Sequence, residues 1–151
     1  MGKYKITEKE RQEMFVTFKE TLARYKLDWN ALRTTMAATG AVISGSTVLA
    51  VLLGGDFVPQ DLDIFVNDKG FAEMLVFLVN HGYQVMKPLP HYTHQKKYPG
   101  SKTILTLKRN GEGEKIDLIG STEHVLTAIT HFHSTAVMNY ISFYGIVSLY
   151  P

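Results

Sequence analysis

The stretch Asp61-Leu62-Asp63-Ile64-Phe65-Val66 admits few folded environments. Its branched and aromatic content favours a β-strand. Successive strand side chains point to opposite faces, so Asp61 and Asp63 share one face while Leu62 and Ile64 point into the core. Two like charges held side by side are unfavourable unless something offsets them. A divalent cation is the natural offset, because Mg²⁺ prefers carboxylate oxygens and substrate phosphates. Asp117 repeats the theme as a lone acid in Lys115-Ile116-Asp117-Leu118-Ile119. On neighbouring strands the three carboxylates converge. Such a triad suits two metal ions, one activating a hydroxyl and the other holding a triphosphate.

The rest of the chain supplies the layers that such a strand needs. Thr7-Glu8-Lys9-Glu10 reads as a capping box, followed by Met14, Phe18, Leu22 and Tyr25 at helical spacing, so a helix is expected over 8–25. Asp28 caps a second helix ending near Gly40. A short strand is expected at 41–43, a Gly45-Ser46 turn, a helix over 47–53 and the acidic strand at 61–66. Then come a helix at 71–81, a strand at 83–86 and a polar loop over 88–100. Strands at 102–108 and 115–119 flank the hairpin signal Asn110-Gly111-Glu112-Gly113. A helix at 123–130 and two short strands around 142–145 complete the order. The expected class is α+β, a small mixed sheet flanked by helices, in a single domain of 151 residues.

Gly45-Ser46 supplies a second functional element. Lying between a strand and a helix, its backbone N–H groups make a ready phosphate site, and the glycine lets a ligand approach closely. The turn Ile43-Ser44-Gly45-Ser46, the following helix, Asp61-Leu62-Asp63-Ile64 and the downstream Asp117 together resemble the nucleotidyltransferase superfamily, the DNA polymerase beta-like fold. The resemblance covers a minimal core of about 42–119. The wording of 61–66 and of the tail 132–139 also resembles small nucleotidyltransferase-like domains of fungal proteins.

The resemblance implies Mg²⁺ or Mn²⁺ held by Asp61, Asp63 and Asp117, with Asp117 completing the site for the attacking hydroxyl. It implies ATP or another NTP as donor, with the β and γ phosphates on Gly45 and Ser46. The acceptor stays open among RNA, protein and small molecules. Many members carry a further helical domain for acceptor or base, for which the stretch to Pro151 leaves no room. Either the acceptor site is incomplete, or a partner or second copy supplies that region, or it lies outside the given stretch. An inactive nucleotide-binding module, and an interaction domain using the Met- and Phe-rich first helix, are the alternatives.

Composition narrows the field. The absence of cysteine excludes a disulfide scaffold and Cys-ligated zinc or iron–sulfur sites. A net charge of +2 is too small to argue for nucleic-acid binding by itself. The charged start and the shortness of every apolar run predict no signal peptide or membrane span, and an intracellular protein, cytoplasmic or nuclear. Gly40 to Thr47 lacks the lysine of a P-loop. His91, His94, His131 and His133 show no recognisable zinc spacing. Lys96, Lys97, Lys102, Lys108 and Arg109 read as solvated surface, or else as a basic rim for triphosphate or a nucleic-acid end.

Overall fold

The computed structural model describes residues 7–44, 61–86, 103–110, 112–122 and 139–148. Helix α1 spans Glu8–Arg24. Its capping box is closed in both directions: the Glu10 amide donates to Thr7 Oγ1 at 3.1 Å, and the Thr7 amide donates to Glu10 Oε2 at 2.9 Å. Helix α2, Trp29–Thr39, starts where the Ala31 amide donates to Asp28 Oδ2 at 3.0 Å. It stops at Gly40, whose φ of +75° is the left-handed turn that glycine adopts without a Cβ penalty.

Strands β1 (Val42–Ser44) and β2 (Asp61–Asn67) come next, and α3 spans Asp68–Asn80. Strands β3 (Tyr83–Val85), β4 (Thr103–Arg109), β5 (Glu112–Ser121), β6 (Asn139–Ser142) and β7 (Gly145–Ser148) follow. The strands form one seven-stranded sheet in the order β3-β4-β5-β2-β1-β6-β7. Among the described residues, β2 and β5 pair parallel and the other ladders are antiparallel. This is the expected mixed sheet with helices.

Helices α1, α2 and α3 cover one face of the sheet. Leu62, Ile64 and Val66 of β2 join Ile116 and Leu118 of β5, Ile43 of β1 and Ile141 of β6 beneath them. Phe18, Leu22, Leu32, Met36, Met74 and Leu78 close the core from the helices. Two arginines tie the helices to the last hairpin: Arg11 donates to the Ile146 carbonyl at 2.8 Å and Arg33 to the Phe143 carbonyl at 2.7 Å.

Several boundaries differ from expectation for local reasons. Helix α3 begins at Asp68, three residues before 71, because Asn67 Oδ1 accepts from the Lys69 and Gly70 amides. Gly70 is required there: a Cβ would lie 2.7 Å from the Thr39 carbonyl oxygen of α2. Strand β1 is shifted by one residue, to 42–44. Strand β5 begins at Glu112, paired with Arg109 and three residues before the expected start at 115, and Asn110 has a φ of +51°. Met14 and Phe15 of α1 are partly buried against the core. No described helix is long and apolar enough to cross a membrane.

Candidate metal centre

The face of the sheet opposite the helices carries the acids. Asp61 and Asp63 lie two apart on β2, and parallel pairing sets Asp63 directly beside Asp117 of β5 and Asp61 beside Lys115. Adjacent strands run about 4.8 Å apart, so side chains at matched positions on one face are immediate neighbours. One carboxylate oxygen from each of Asp61, Asp63 and Asp117 lies within 4.8 Å of the others. Asp63 is 6% and Asp117 3% exposed, while Asp61 at the strand start is half-buried. The expected convergence is therefore met, through a parallel ladder between strands about fifty residues apart in sequence.

The acids sit in a polar row that crosses the sheet. Thr106 of β4 is in register with Asp117, and Ser44 of β1 is in register with Asp63. The Thr106 hydroxyl donates to Asp117 Oδ1 at 2.8 Å, which fixes the orientation of that carboxylate. Lys115 places its Nζ 3.3 Å from Asp61 Oδ1. Tyr140 of β6, buried beyond Ser44, has its hydroxyl pushed above the ordinary phenol range by burial first and by Tyr144 second.

The donor set is chemically specific. Three carboxylates offer only hard, anionic oxygens, which suit hard divalent cations such as Mg²⁺, Ca²⁺ or Mn²⁺ and not the softer ions that thiolate ligands select. Close carboxylates in a buried setting also repel one another, which a bound dication relieves. The residues present thus fit a divalent cation.

No protein family, curated protein or solved structure matches the chain.

Gly45 and Ser46 lie outside the described residues, as do the expected helices over 47–53 and 123–130. So do the histidines at 91, 94, 131 and 133 and the lysines at 96, 97 and 102. Arg109 is not part of a basic rim. Its guanidinium donates to the His81 carbonyl and stacks 5.8 Å from the Tyr83 ring, which holds β4 to the end of α3. Three residues that the sequence reasoning did not single out belong to the site: Lys115, Thr106 and Ser44. The signal for Lys115 was its position two before Asp117, which puts both on one strand face. Thr106 and Ser44 became site residues only once the sheet order was known.

Proposed function

We propose that this domain is a metal-dependent nucleotidyltransferase of the DNA polymerase beta-like superfamily, moving an NMP from an NTP to an acceptor hydroxyl. The observation that carries the reading is the convergence of Asp61, Asp63 and Asp117 within 4.8 Å on one face of a parallel strand pair. In this reading Asp61 and Asp63 hold Mg²⁺ or Mn²⁺ together with Asp117. When bound, the ion neutralises charge on the carboxylates and the phosphates and polarises the phosphate oxygens.

The reaction balances as follows. The acceptor oxygen forms a bond to the α-phosphorus, and the bond from that phosphorus to the bridging oxygen of the β-phosphate breaks. Pyrophosphate leaves with that electron pair. The acceptor proton passes to Asp117, whose carboxylate Thr106 keeps aimed through the 2.8 Å hydrogen bond. In this reading Gly45 and Ser46, expected from sequence to form a turn before a helix, carry the β and γ phosphates on backbone amides and the serine hydroxyl.

The test is incubation with α-labelled NTP, Mg²⁺ and candidate RNA, protein and small-molecule acceptors. The expected result is label on one acceptor with matching pyrophosphate, and loss of both in the Asp61→Ala, Asp63→Ala double variant. Full activity in that variant refutes the reading. A second reading, a nucleotide-binding module without turnover, is favoured by one observation: Lys115 already gives Asp61 a cationic partner at 3.3 Å. NTP binding without pyrophosphate release from any acceptor would support it.

A further inference from the structure

Lys115 occupies an unusual place for a lysine. It sits two residues before Asp117 on β5, so strand periodicity puts both on the acid-bearing face. Parallel register sets it beside Asp61, and its ammonium reaches Asp61 Oδ1 at 3.3 Å. The neighbouring Glu114 pairs instead with Arg24 of α1 at 2.7 Å. Charge counting then has a consequence. Three carboxylates carry −3 and the ammonium +1, which leaves −2, the charge that one divalent cation balances.

We propose that Lys115 is a built-in counter-ion that limits the nucleotide-free centre to one divalent cation and weakens its hold on it. This rests on the metal-centre reading above. The side chains of Lys115 and Asp61 are 38% and 19% exposed, so the pair is a solvent-screened contact and not a lock. An arriving ion competes with the ammonium for Asp61, and the flexible four-carbon stem lets the ammonium yield that oxygen while its charge stays beside the centre. Lys115 is thus a positioning residue that acts on the ion through Asp61.

The experiment is a titration of the nucleotide-free protein with Mn²⁺, following free Mn²⁺ by electron paramagnetic resonance. Wild type, Lys115→Met, Lys115→Gln, Lys115→Arg and Asp63→Ala are compared. Wild type is expected to bind one equivalent. Lys115→Met and Lys115→Gln are expected to lower the Kd about fivefold, the scale of a screened pair, or to raise the stoichiometry toward two. Lys115→Arg, which keeps the charge, is expected to stay within about twofold of wild type. Unchanged or weaker binding in both neutral variants overturns the proposal, as do two equivalents in wild type. Binding by Asp63→Ala equal to wild type, or no binding by any variant, overturns the metal-centre reading itself and this inference with it.

Discussion

Removing a carboxylate from the triad is expected to stabilise the metal-free protein. Asp63 is buried and has an acidic neighbour on each side, Asp61 along its own strand and Asp117 across the ladder. The three ligand oxygens lie within 4.8 Å of one another. At that separation and an effective dielectric of 20, two unit charges repel by about 3.5 kcal/mol. Lys115 offsets part of this at Asp61, and relaxation of the site offsets more. The net gain expected for Asp63→Asn, which keeps the shape and one acceptor oxygen, is on the order of 1–3 kcal/mol. In a domain of this size that raises the unfolding midpoint by about 3–10 °C. The assay is thermal unfolding in EDTA at low salt, followed by circular dichroism. With saturating Mg²⁺ the advantage should shrink or reverse, because only the wild type gains from binding. An Asp63→Asn midpoint below wild type in EDTA would refute the reasoning, since it would show that the carboxylate is held by favourable contacts outweighing the repulsion.

Burial pushes the Tyr83 hydroxyl up to about 12 from its ordinary 10, against the opposing pull of Arg109. The folded state therefore keeps a proton that the unfolded chain releases above pH 10. Stability should be intact below that pH and fall by about 1.4 kcal/mol per unit from pH 10 to 12, and urea titrations of Tyr83→Phe should lack that slope. Gly70→Ala places a Cβ 2.7 Å from the Thr39 carbonyl oxygen and 2.8 Å from its Cβ; the forced shift between α2 and α3 should cost about 1–3 kcal/mol in denaturant unfolding. Thr106→Val removes the donor to Asp117 Oδ1 at nearly constant volume. It should lower kcat/KM about 10- to 100-fold with the circular dichroism spectrum unchanged, whereas an unaltered kcat/KM would show that Asp117 needs no such support.

The parts of this architecture that were legible in sequence are those set by local chemistry. Thr7 with Glu10, and Asp28, announce helix starts because the capping atoms lie within three residues of the amides they serve. The acidic strand was legible because alternation along β2 is a local pattern, and it gave both the core face and the shared face of Asp61 and Asp63. What was not legible depends on distant pairing. The adjacency of Asp63 and Asp117 needs β5 to return through a hairpin and lie parallel to β2, and no local signal specifies that register. The start of α3 was hidden for the same reason. Asp68-Lys69-Gly70 reads as a polar break until Thr39 and Val66 are seen closing over the glycine. Lys115 was named only as part of a strand, because its meaning comes from Asp61 across the ladder. The phosphate role of Gly45 and Ser46 rests on the sequence alone, since both lie outside the described residues.

The central claim is that the Asp61, Asp63 and Asp117 centre binds a metal–nucleotide complex. The most direct measurement is the unfolding midpoint with each of the four NTPs, in Mg²⁺, Mn²⁺ or EDTA, for wild type and Asp63→Ala. A ligand at about 100 times its Kd adds about 2.7 kcal/mol of stability, which is several degrees for a domain of this length. The account predicts a metal-dependent rise with at least one NTP in wild type and none in Asp63→Ala. A flat midpoint with all four nucleotides, or an equal rise in EDTA or in Asp63→Ala, would contradict it.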